Sequence, residues 1–132
     1  MKTIDDFAAL HRADDPLVLF NVWDAGSAAA VAEAGTKAIA TGSLSLAGAQ
    51  GYDDGEGMPF AAVLESVRRI AATIDLPLTV DFETGYAEDE REIARNAAAL
   101  LHAGAIGCNL EDRLLDSAAL RNCHPKLREV LE

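Results

Sequence analysis

The chain has 132 residues, half of them apolar and a quarter charged, which describes one globular unit rather than a disordered or fibrous chain. Its 11 Lys and Arg against 22 Asp and Glu leave a formal net charge of -11, which repels phosphate backbones and anionic lipid and makes nucleic acid and membrane surfaces poor partners. No run approaches the roughly 18 to 20 apolar residues of a membrane span, and the start at Met1 to Asp6 lacks an apolar signal core, so a cytoplasmic protein is expected. Cys108 and Cys123 are too few for a disulfide framework and lack the companions of a zinc site, so both are expected to be free thiols.

Thr3, with Asp6 three residues on, reads as the cap of a short helix that places Phe7 and Leu10 on one face. Leu17 to Phe20 is a short apolar run between Pro16 and Asn21, the pattern of a strand buried on both faces of a parallel sheet. The Ala- and Val-rich stretch from Ser27 to Ala34, stopped by Gly35, predicts a packed helix, and Ala38 to Thr41 a second strand. Residues 42–58 are rich in Gly, Ser and Asp and read as a long loop of functional interest. Pro59 opens a helix in which Phe60, Val63, Leu64, Val67, Ile70, Ala71 and Ile74 recur at three- and four-residue steps.

Leu78 to Asp81 follows as a third strand. Glu88, Asp89 and Glu90 mark the next helix start, Ile93, Ala97, Leu100 and Leu101 its buried face and Gly104 its end. Ala105 to Leu110 is expected as a fourth strand, and a last helix near Ser117, interrupted at Pro125. Four strand-helix alternations with crossovers long enough to hold helices predict an α/β fold of parallel strands with right-handed connections.

In such sheets reactive residues gather past the carboxyl ends of the strands. The acids follow that rule: Asp24 after the first strand, Asp53 and Asp54 after the second, Asp81 and Glu83 at the third, Glu111 and Asp112 at the fourth. Acids crowded on one rim repel, and a divalent cation relieves them. Oxygen ligands without a neighbouring His favour Mg²⁺, or Mn²⁺, over zinc. Strand alternation would put Asp81 and Glu83 on one face, with Phe82 behind them and Glu111 approaching from the adjacent strand, which makes Asp81, Glu83 and Glu111 the candidate metal ligands. Asp24, followed by Gly26 and Ser27, reads as a helix cap, and Asp112 as a partner of Arg113. The turn Thr41 to Ser45 offers backbone N–H groups to a carboxylate or phosphate.

Taken in order, Leu19-Phe20-Asn21-Val22-Trp23-Asp24-Ala25, Ala38-Ile39-Ala40-Thr41-Gly42-Ser43, Gly51-Tyr52-Asp53-Asp54-Gly55-Glu56, Asp81-Phe82-Glu83-Thr84-Gly85-Tyr86 and Asn109-Leu110-Glu111-Asp112 resemble the motifs of the phosphoenolpyruvate mutase and isocitrate lyase superfamily. The resemblance covers about residues 4–112. It implies a Mg²⁺-dependent enzyme on a (β/α)₈ barrel that acts on a 2-oxo acid or its enolate, making or breaking a carbon-carbon or phosphorus-carbon bond. It further implies that Asp81, Glu83 and Glu111 are the metal-binding acids, some through waters, that Ser43 and Leu44 hold the substrate carboxylate by backbone N–H, and that Asp54 is a catalytic loop acid near the reacting group. Glu83 stands where the founding members have Asp, and Arg121-Asn122-Cys123-His124-Pro125 is only a loose echo of the Lys-Lys/Arg-Cys-Gly-His loop of the lyases. His11 and His102 read as structural residues on helices away from the rim.

A barrel of this kind needs eight βα units and about 250 residues. Residues 1–132 are therefore expected to form a single partial barrel domain of about four strands, a truncated amino-terminal half with open edges prone to self-association. Two other readings stand beside the enzyme: a noncatalytic binding or assembly module derived from the family, and a receiver-like phosphoacceptor, which would need paired acids just after the first strand and a Lys after a fifth.

Overall fold

The computed structural model describes residues 3–112. The helix expected near Ser117, the Arg113 partner of Asp112, and Cys123 and His124 lie outside the described residues. The elements are α1 (Ile4–Ala8), β1 (Phe20–Val22), α2 (Ala25–Glu33), β2 (Ile39–Thr41), α3 (Ser43–Gly48), α4 (Phe60–Thr73), β3 (Leu78–Asp81), α5 (Glu90–Ala103) and β4 (Gly107–Asn109).

The four strands form one parallel sheet in the order β1-β2-β3-β4. Each strand is added on the same side of the last, so repeated right-handed crossovers keep returning the chain over the same face of the sheet. This is the winding of a barrel wall. A receiver domain needs the order β2-β1-β3, because a doubly wound sheet reverses direction at its switch point.

One face of the sheet builds the core. Val22, Ile39, Leu78, Val80 and Phe82 meet Ala28 of α2, Val63, Val67 and Ile70 of α4, and Ile93 and Leu100 of α5, all of them buried. The three- and four-residue spacing read from α4 is thus the stripe that faces the sheet. The opposite face lines an open cleft of about 440 Å³ with Asn21, Ala40, Thr79, Asp81, Gly107 and Asn109. Phe7 and His11 line it too. The Phe7 ring lies over Gly107, where a Cβ would stand 2.8 Å from its Cε1. His11 sits just past α1 rather than on a helix, its ring edge-on to Phe7, whereas His102 bonds back to Ala98 within α5.

The caps follow the sequence. Thr3 and Asp6 form a reciprocal capping box on α1. Asp24 caps α2 by accepting the Ser27 amide at 2.7 Å, and that bond holds its carboxyl below the ordinary range. Gly104, at φ 107, ends α5 in the left-handed conformation that glycine adopts without penalty.

Most boundaries fall within two residues of expectation, and two regions depart further. The first strand is Phe20–Val22, not Leu17 to Phe20, because register is set by pairing with Ile39–Thr41 rather than by the apolar run. Val18 and Phe20 are in fact exposed, so the run was not a strand buried on both faces. Within that margin the fourth strand is shorter than Ala105 to Leu110. The stretch 42–58 is not all loop: Ser43–Gly48 form a helix whose Leu46 and Ala47 are buried in the core.

Candidate active site at the carboxyl rim

Asp81 ends β3 and projects where the carboxyl ends of β2 and β4 come alongside. Its Oδ2 accepts the Ser43 backbone N–H at 2.9 Å, and its Oδ1 accepts the Asn109 side-chain amide at 3.0 Å. The Asp81 amide in turn donates to Thr41 Oγ1 at 3.1 Å. One carboxylate is therefore fixed by a donor from the start of α3, just past β2, and by another from β4. The Ser43 N–H that was expected to meet a ligand anion meets Asp81 in this structure. Leu44, beside it, turns its side chain to solvent, so any role it has in binding belongs to its backbone.

Glu83 does not share a strand face with Asp81. Strand geometry ends at Asp81, and Glu83 takes a left-handed φ of 49, which breaks the alternation. Phe82 is buried as expected. The Glu83 carboxylate, also buried, accepts the Glu56 amide at 2.6 Å and the Tyr86 hydroxyl at 2.9 Å. Burial pushes its carboxyl above the ordinary range, and the charges of Asp54 and Glu56 push the same way against those two hydrogen bonds. The Tyr86 hydroxyl is likewise pushed up, first by burial and then by the charge of Glu83.

Sequence reasoning passed over Glu56. Its Oε1 accepts from the Thr84 amide at 3.0 Å, the Thr84 hydroxyl at 2.6 Å and the Tyr86 amide at 2.9 Å. This ties the loop carrying Asp53 and Asp54 to the turn after β3. A carboxylate inside the glycine-rich Gly51-Tyr52-Asp53-Asp54-Gly55-Glu56-Gly57 was the available signal. Gly85 closes the same turn at φ 97, where an added Cβ would lie 2.8 Å from Ile93. Glu56, Glu83 and Tyr86 are the non-glycine residues with positive φ among the described residues, a conformation that costs about 1 kcal/mol or more each. Asn109 opens the Asn109-Leu110-Glu111-Asp112 motif, and its contact with Asp81 carries no sequence signal of its own.

Glu111 lies two residues past β4, exposed, and its amide donates to the Glu83 carbonyl, extending the β3–β4 ladder beyond the strands. Asp53, Asp54 and Asp112 are exposed too. The structure thus joins Glu56 to Glu83, with Asp54 near enough for its charge to act on Glu83, sets Asp81 between Ser43 and Asn109, and leaves Asp24 to its helix cap.

Among the described residues no three His, Cys, Asp or Glu side chains are gathered tightly enough to enclose an ion. The ion pairs there join Arg12 to Asp14, Lys37 to Asp15 and Glu65 to Arg68 and Arg69, and none reaches a rim acid. Carboxylate oxygens spread around a rim, and without a cationic partner among the described residues, fit a cation that keeps much of its water, as Mg²⁺ does, and do not fit a dehydrated cage.

A family model for phosphoenolpyruvate phosphomutase matches residues 7–130. The chain is 31% identical over 109 residues to a 2-methylisocitrate lyase of Escherichia coli (strain K12), a match covering 82% of this chain and 37% of that protein. Its fold superposes with TM-score 0.88 on the crystal structure of a phosphonomutase candidate from Burkholderia cenocepacia J2315, at 52% identity over 92% of this chain and 50% of that one. It also superposes with TM-score 0.81, at 20% identity, on a phosphonopyruvate hydrolase in complex with oxalate and Mg²⁺, covering 89% of this chain and 40% of that chain. The chain spans half or less of the length of each of these proteins.

Proposed function

The chain belongs to the phosphoenolpyruvate phosphomutase family, and we propose that it carries the cation- and carboxylate-binding rim of a Mg²⁺-dependent enzyme acting on a 2-oxo acid or its enolate. The observation that carries this reading is the Asp81 carboxylate at the end of β3, held between the Ser43 amide and the Asn109 side chain. Support comes from the oxygen-only acids beside it and from the oxalate and Mg²⁺ in the phosphonopyruvate hydrolase that shares the fold.

In this reading Asp81, Glu83 and Glu111 would hold Mg²⁺, some of them through waters. The cation, when bound, acts as a Lewis acid that takes up charge developing on the enolate oxygen. The protein's own residues do the rest. The Ser43 and Leu44 amides would orient the substrate carboxylate, the Ser43 N–H exchanging Asp81 for that carboxylate. Asp54, exposed on a loop that faces Glu83, is placed to hold or move a proton near the reacting group. The bond made or broken, carbon-carbon or phosphorus-carbon, is selected by parts of the pocket beyond this rim.

The test is calorimetric titration of the purified chain with Mg²⁺, with oxalate as enolate mimic. Mutually enhanced binding, lost in Asp81→Ala and weakened in Glu111→Ala, supports the reading. A folded chain that binds neither points instead to the noncatalytic module.

A further inference from the structure

We propose that Glu56 is a positioning residue that sets the acidic rim without touching cation or substrate, by latching the loop of Asp53 and Asp54 onto the turn after β3. Three facts converge on it. Its Oε1 accepts three hydrogen bonds from Thr84 and Tyr86, and its own amide donates to Glu83 Oε2. Tyr86 closes the ring of contacts by donating its hydroxyl to Glu83 Oε1. Glu56, Glu83 and Tyr86, the three partners in that ring, are also the non-glycine residues with left-handed backbone among the described residues, at φ 62, 49 and 55. Strained backbone persists where surrounding bonds over-determine it, and here the bonds that do so are reciprocal between two loops.

The consequence concerns distance along the chain. Asp54 is two residues before Glu56, and Glu83 is one residue before Thr84. Fixing Glu56 to Thr84 and Tyr86 therefore fixes where Asp54 stands relative to Glu83. Oε1 is taken up by three inward donors, and the latch works through those donors. What the latch requires is an acceptor at Oε1, which a glutamine also supplies, as a neutral carbonyl.

The experiment compares Glu56→Ala with Glu56→Gln by amide hydrogen exchange and by Mg²⁺ titration; only the second readout rests on the cation reading above. In Glu56→Ala the Thr84 and Tyr86 amides are expected to exchange at least about tenfold faster while α4 amides stay protected, and Mg²⁺ affinity to fall about tenfold, the usual effect of losing an outer-sphere support. Glu56→Gln is expected to restore both to within about threefold of the parent. Unchanged amide protection in Glu56→Ala, or a Glu56→Gln chain as impaired as Glu56→Ala, overturns the proposal. Should Glu56→Ala fail to fold, Glu56→Asp, one methylene shorter, gives the same comparison at the same two amides. A parent chain that binds no Mg²⁺ defeats the cation reading alone, because the exchange arm still decides the latch.

Discussion

Asn109 and Asp81 sit opposite each other in the β3–β4 register, and the Asn109 amide donates to Asp81 Oδ1 at 3.0 Å across that pair. Removing the donor frees the carboxylate to rotate without opening the core, since Asn109 is exposed. Asn109→Ala is therefore expected to weaken Mg²⁺ binding roughly tenfold in calorimetry, the scale of an outer-sphere loss. Its melting temperature should stay within a few degrees of the parent.

The amide of Ser43 is separable from the side chain of Leu44. Ser43 is the first residue of α3 and follows an extended Gly42, a place where proline is tolerated. Ser43→Pro removes the N–H and puts ring carbon where Asp81 Oδ2 now bonds, so oxalate affinity in the presence of Mg²⁺ should fall by about tenfold or more, the scale of one lost charge-assisted hydrogen bond. Leu44→Ala, at a side chain already in solvent, should stay within about twofold. Titration of both variants in parallel checks the assignment to backbone.

Asp24 gives the chain a pH-sensitive cap. Its folded carboxyl lies below the ordinary 3.8, chiefly through the Ser27 amide, so its contribution is complete above that value and is lost as pH falls through the lower, folded one. Asp24→Asn, which caps without titrating, should flatten this acid limb in melting-temperature profiles. Asp24→Ala should lower stability across the whole range.

Phe82 ties the site to the core. It is 1% exposed and packs near the rings of Phe60 and Tyr86, with centroids 6.0 and 6.2 Å away. Phe82→Ala should cost about 3 to 5 kcal/mol in denaturant unfolding, as large-to-small changes at buried aromatics do.

Much of this architecture was legible where a pattern and its punctuation agreed. Leu78–Asp81, bounded by Pro77, was read with its observed ends, and the periodic α4 and the Asp89-capped α5 were found within two residues. The first strand was misplaced because the apolar run Leu17 to Phe20 records hydrophobicity, whereas pairing draws the polar Asn21 into the strand to face the cleft. Helix α3 hid behind Gly and Ser, which read as turn although Leu46 and Ala47 supply a buried face. The expected convergence of Asp81 and Glu83 assumed that alternation continues past the strand, and no single-residue preference announces a glutamate at positive φ. The network of Glu56 depends on two loops meeting, a contact written in tertiary structure alone.

The central claim, a cation held at Asp81, is tested most directly by adding trace Mn²⁺ to isotopically labelled protein and recording which backbone amides broaden. The expected result is broadening centred on Asp81 and spreading to Ser43, Leu44, Glu56, Glu83 and Glu111, abolished in Asp81→Ala. Broadening confined to exposed acids elsewhere, such as Asp14 and Asp15, with Ser43 and Asp81 left sharp, would contradict it.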